Sequence, residues 1–213
     1  MSDALTPEQV TALFTRASGD FAFARWGRPI VPVVFGLDDA TLPVLKGAIE
    51  AVVTLANHKM AETDPELGAN TMVFFLRDWD ELRAVPGLDR LIPDLGPLLD
   101  RLVAEDANQY RLYRFEESGA IKAAFVFVRM DGAMSALSAE ALALGQMVQV
   151  ILLWSVRAFA ERSALARAPG GATILRPDIA DLIRAGYDPV MPAFAEDASH
   201  ALRLAARVAG GAE

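Results

Sequence analysis

The chain has 213 residues, 53% of them hydrophobic, with 28 acidic side chains against 20 basic ones and a net charge of -8. That length can bury one sizeable core, and the negative balance repels a phosphate backbone, so nucleic acid is an unsuitable partner. There is no cysteine, which excludes disulfides, thiolate metal sites and a thiol nucleophile.

The first nine residues carry neither a basic nor an apolar leader pattern, so no signal peptide is expected and a cytoplasmic location is the default. Thr6-Pro7-Glu8-Gln9 has the form of a helix start, with Thr6 placed to cap and Pro7 in the first turn. It predicts a short helix to about Ser18 in an N-terminal segment, 1–20. The β-branched run Ile30, Val31, Val33, Val34 predicts a strand, with Pro29 and Pro32 favouring its start or a sheet edge. A helix should open between Asp38 and Thr41, because Leu42, Leu45, Ile49, Val52, Val53 and Ala56 recur at helical spacing. Its other face carries Lys46, Glu50, Thr54 and Asn57; His58 continues that face and is expected to be solvated.

Residues 71–76 read as a central strand, and Asp78 and Glu81 have capping-box spacing. Prolines and glycines break 85–97 before a helix over about 98–106. Residues 109–115 and 121–130 predict a hairpin turning at Glu116-Glu117-Ser118-Gly119. Residues 138–162 read as one long central helix, almost wholly apolar over 141–154 except for Gln146 and Gln149. That run is shorter than the roughly 20 residues of a membrane span, so no membrane association is expected. The loop Ala168-Pro169-Gly170-Gly171, a helix over 177–185, a turn at 186–192 and a helix over 195–208 make a C-terminal helical segment, 168–213. The order predicts a single α+β domain, 1–213, with a mixed sheet of about four strands covered by helices.

Chemistry is sparsely represented. His58 and His200 are the only histidines, and neither is placed for a zinc site or a triad. No metal or cofactor is predicted, and Pro169-Gly170-Gly171 lacks the Lys-Ser/Thr of a phosphate loop. Asp78 and Asp80 follow a strand end, where catalytic carboxylates often sit, although capping accounts for Asp78 and Glu81. Arg111, Arg114 and Arg129, with Arg25 and Arg28 around Trp26, suggest a cationic and aromatic patch. Alternatively these arginines pair with Glu116 and Glu117. Gln146 and Gln149, if buried, need partners.

Three stretches, Arg25-Trp26-Gly27-Arg28-Pro29-Ile30, Ala69-Asn70-Thr71-Met72-Val73-Phe74 and Ala185-Gly186-Tyr187-Asp188-Pro189-Val190-Met191-Pro192, together resemble a bacterial family of unknown function whose fold is similar to the zincin metalloproteases. Zincins carry His-Glu-x-x-His on a helix after the sheet. The corresponding helix here, 138–162, has Gly145-Gln146-Met147-Val148-Gln149-Val150 and no zinc ligand, so the resemblance implies a degenerate, non-catalytic relative.

The first functional expectation is a non-catalytic, soluble binding or assembly protein with an unknown protein partner. Its contact surface would be Arg25, Trp26, Arg28, Trp79 and Tyr187, extended by Arg111 and Arg114. The second is a metal-independent hydrolase using Asp78 or Asp80 with Arg111 or Arg114. The third is a small-ligand carrier whose Gln146 and Gln149 face a pocket between helix and sheet. A homodimer covering the 138–162 helix is also expected.

Overall fold

In a computed structural model, residues 5–210 are described; residues 1–4 of the predicted N-terminal segment and 211–213 of the C-terminal one lie outside them. In chain order they form α1 (Pro7–Phe14), β1 (Phe23–Ala24), β2 (Pro32–Phe35), α2 (Leu42–Leu55), β3 (Thr71–Leu76), a 3-10 helix (Trp79–Ala84), α3 (Leu88–Leu91), α4 (Leu95–Ala104), β4 (Gln109–Phe115), β5 (Ile121–Arg129), α5 (Gly132–Ser135), α6 (Ala139–Ile151), β6 (Leu165–Arg167), β7 (Thr173–Leu175), α7 (Pro177–Gly186), β8 (Phe194–Ala195) and α8 (Ser199–Gly210). The four predicted strands make one mixed sheet in the order β2-β3-β5-β4, parallel except for the antiparallel edge strand β4. The fold is α+β, as expected.

Strand composition accounts for this order. β3 and β5 are apolar on both faces over 72–76 and 123–128, so they take the centre, while β4, with Gln109, Arg111 and Arg114, takes an edge. Alternation then splits the core. Val73, Phe75, Val126 and Val128 lie in the core that contains α2 and α6; Phe74, Leu76, Phe125 and Phe127 lie in that of the 3-10 helix, α3 and α4. Two short pairings were not predicted. β1 pairs with β8, and β6 with β7 across the Ala168-to-Gly171 loop; strands of two or three residues are too short to show a period.

The long central helix is corrected. α6 covers only Ala139–Ile151, and Leu152 turns to extended backbone (φ -132, ψ 160). There it bridges to Arg25, and the Leu153 N–H donates to Ala24 O at 2.9 Å. No Gly or Pro stands at this point; the end is set by distant residues. A helix leaves its last four carbonyls without intrahelical donors, and an aromatic side chain meets each one here. Trp154 Nε1 donates to Val148 O (2.7 Å) and the Tyr113 hydroxyl to Gln149 O (2.8 Å). Trp26 Nε1 donates to Val150 O (2.9 Å) and the Tyr187 hydroxyl to Ile151 O (2.8 Å). Within α6, Leu142, Ala143, Met147, Val148, Val150 and Ile151 are buried by this chain's own residues, so no second subunit is needed to cover them. Among the described residues no helix is long and apolar enough to cross a membrane.

Removing one of these donors leaves a buried carbonyl unpaired. Trp26→Phe and Tyr187→Phe should each lower the unfolding free energy by about 1–3 kcal/mol in urea denaturation. Tyr187→Phe should cost the more, because the Tyr187 hydroxyl also accepts from the Trp26 N–H at 3.3 Å. An unchanged midpoint for Tyr187→Phe would show that Ile151 O does not depend on this donor.

Candidate functional site

The aromatic residues of the expected contact surface are buried. Trp26, Trp79 and Tyr187 are 1%, 1% and 7% exposed; the first and last cap α6, and Trp79 Nε1 donates to Ala107 O at 2.8 Å. Indoles and phenols have an apolar body and a polar tip, and here the tips are used inside. Arg25 donates from Nη2 to Met191 O (3.1 Å) and its guanidinium stands 5.4 Å from the centre of the Tyr187 ring. Arg28 is tied to Glu116 (2.6 Å), Asp64 (3.1 Å) and Glu66 (3.3 Å). Against the effect of burial, the Leu67 and Glu66 N–H groups, the Asn70 amide and Arg28 hold the Asp64 carboxyl well below its ordinary pKa. Arg129 pairs with Asp106 at 2.6 Å.

Asp78 and Glu81 make the capping box that their spacing predicts, and Asp80 pairs with Arg83 at 2.7 Å. His58 does not continue the solvated face of α2. Asn57 takes a left-handed φ of +49 and turns the imidazole inward, where Nε2 lies 2.9 Å from Arg28 O. His200 is buried, with its ring centre 4.5 Å from that of Phe23. Burial lowers the pKa of both histidines. Among the described residues no three His, Asp or Glu side chains cluster so as to hold a metal ion.

Arg111 and Arg114 are separated by the sheet. Three positions apart on one strand, they point to opposite faces. Arg114 donates to Leu91 O (2.8 Å) on the side of α3, whereas Arg111 shares with Tyr113 the face that meets α6. On that side lies a cavity of about 700 Å³. β4 contributes Gln109, Arg111 and Tyr113, α6 contributes Gln149, the end of α1 gives Phe14 and the residues after it Arg16, and the segment after α6 gives Leu153, Trp154 and Phe159. The early end of α6 builds this wall, since Trp154 folds back to cap Val148 instead of continuing the helix. Phe14 and Trp154 stack with ring centres 5.1 Å apart, and Phe159 meets Trp154 edge-on.

The electrostatics of this cavity set it apart. In a protein with a net charge of -8, no Asp or Glu lines it. Arg111 Nη2 donates to Gln109 Oε1 (2.7 Å) and Gln146 Oε1 (2.5 Å). Nε is buried without a partner, and among the described residues no carboxylate forms an ion pair with Arg111. Burial lowers the pKa of the guanidinium and pushes the Tyr113 phenol up to about 12. Gln146 is buried as expected, while Gln149 is only partly buried. Other hollows contain acids. A groove of about 850 Å³ beside β2 and α2 has Lys46 opposite Glu50 and also contains Glu62; one of about 1050 Å³ beside α1 mixes Glu8 and Glu161 with arginines.

No family model, curated protein or solved structure matches the chain. The stretches 25–30, 69–74 and 185–192 meet in the framework of the fold, with Trp26 and Tyr187 at the end of α6 and Asn70 Oδ1 accepting from the Val31 N–H at 2.8 Å.

A half-buried cation held only by two neutral amides contributes little to folding. Replacing Arg111 and Gln146 together by leucine removes the guanidinium and the buried amide it supports. The double variant should be as stable as the parent or up to about 2 kcal/mol more so in urea denaturation, as when buried polar groups give way to apolar ones. A loss of stability would assign Arg111 a structural role instead.

Proposed function

We propose that the protein is a non-catalytic binding protein for a small anionic molecule, held in the cavity between β4, the end of α6 and the end of α1. The observation that carries this reading is Arg111, a partly buried cation on the cavity wall with no carboxylate partner. Burying a charge without an opposite charge is costly, and a ligand anion would offset that cost. A volume of about 700 Å³ lies within the range of small-molecule sites, which combine apolar walls with a few polar groups. The non-catalytic part is supported by the local employment of Asp78, Asp80 and Glu81 in caps and ion pairs. A degenerate zincin-like ancestry is consistent with it, because the α6 residues at the expected motif position carry no ligand for zinc.

Binding to the folded state alone stabilises it by about 2.7 kcal/mol at a ligand concentration of 100 Kd. For a chain of this size that is roughly 5–10 °C in melting temperature. A thermal-shift screen of small carboxylates, phosphates and amines should therefore show shifts for acids only. Ala17→Trp, which places an indole against the cavity wall, should abolish them. If no anion shifts the melting temperature at millimolar concentration, the reading falls.

A further inference from the structure

The donors and acceptors left over in the cavity narrow the chemistry of its ligand, on the assumption that the reading above holds. Arg111 Nη2 is saturated, since its two hydrogens go to Gln109 and Gln146. Nε is sealed from solvent. Nη1 makes no hydrogen bond among the described residues and, unlike Nε, is not sealed, so it is the donor on offer. The two-pronged Nε and Nη2 edge, with which arginine grips planar anions, is closed. One nitrogen suits one carboxylate oxygen.

Gln149 supplies the complementary group. Its Nε2 is turned to Gly145 O of its own helix at 3.3 Å, an arrangement that fixes which end of the amide is nitrogen and leaves Oε1 as a free acceptor on the cavity wall. Gln146, which holds Arg111, is three residues earlier, so the two side chains are neighbours on one helix face at about 5–6 Å between Cβ atoms. The acceptor therefore lies on the same stretch of helix face as the amide that holds the guanidinium. Trp154, Phe159, Leu153 and Phe14 supply the apolar part of the wall, where the Trp154 indole N–H is already committed to Val148 O, and Arg16, Ser18 and Ser155 stand among them.

We infer that the cavity binds a ring-borne monocarboxylate that also carries a hydrogen-bond donor, with the carboxylate on Arg111 Nη1, the donor on Gln149 Oε1 and the ring against Trp154 and Phe159. Isothermal titration of the full chain with four probes tests this: 4-hydroxyphenylacetate, phenylacetate, 4-hydroxyphenylacetamide and phenyl phosphate. The hydroxy acid should bind tightest. The neutral amide should be weaker by about tenfold or more, as for a lost charge-assisted contact. Phenylacetate should be weaker by roughly threefold to tenfold for the missing neutral hydrogen bond. Gln149→Leu should erase the difference between the two acids. The inference is overturned if the amide matches the acid, if phenyl phosphate binds tighter than the carboxylates, or if Gln149→Leu leaves the ratio of the two acids unchanged; the first two comparisons need no variant. In the last two cases the cavity still binds a small anion, whereas an amide that matches the acid removes the anionic reading as well. Silence from all four probes, together with no thermal shift from any anion, removes the cavity reading as well.

Discussion

The last four carbonyls of α6 must find donors in an interior from which water is excluded, and the structure is arranged around meeting that demand. An unpaired buried carbonyl costs about 1–3 kcal/mol, so four of them together would rival the whole stability of an ordinary domain. The donors come from four places in the chain: Trp26 after β1, Tyr113 on β4, Trp154 just past the helix and Tyr187 at the end of α7. Each bond therefore fixes a different element against the same helix end. The β1–β8 pair and the bridge from Leu152 to Arg25 follow from the path the chain must take to deliver them.

What was legible in the sequence tracks how local the cause is. The strand over 71–76 and the hairpin over 109–129 depend on local apolar and aromatic runs and on Gly119, whose φ of +82 suits the turn. Thr6 with Gln9, and Asp78 with Glu81, are caps made within four residues, and both form. The end of α6 had no such signal, because the segment 152–154 is as apolar as what precedes it and its stop lies in donors more than 30 residues away in sequence, Trp154 excepted. Trp26, Trp79 and Tyr187 were misread for the same reason. A polar tip on an apolar ring suits an exposed contact or a buried cap equally well, and only the position of the acceptor decides.

The cavity was legible in fragments. Strand periodicity places Gln109, Arg111 and Tyr113 on one face and separates Arg111 from Arg114, and the glutamine pair on α6 marked the helix side. What could not be read was which face of β4 would meet α6, or that residues 153–159 would turn back to close the space. Both depend on where α6 ends. The charge pattern was also hidden, since acids and arginines alternate along the chain and only folding sorts them into ion-paired surfaces and one acid-free cavity.

Tyr113 and Trp154 belong to both systems: each caps a carbonyl of α6 and each lines the cavity. The wall is thus as rigid as the helix end it completes, and a ligand would meet groups held in place before it arrives, which lowers the ordering cost of binding. Arg111 departs from this economy, as do the buried and unpartnered Nε atoms of Arg25 and Arg129. Its neighbours on β4 and α6 give it amide oxygens but no countercharge, in a chain with 28 acids from which a partner might have been drawn. Local rules of polar satisfaction hold throughout the helix end beside it, and folded proteins tend to break such rules where a site has to meet something from outside. The unmet charge at Arg111, on the wall of a cavity that no acid lines, is the feature that points from fold to function.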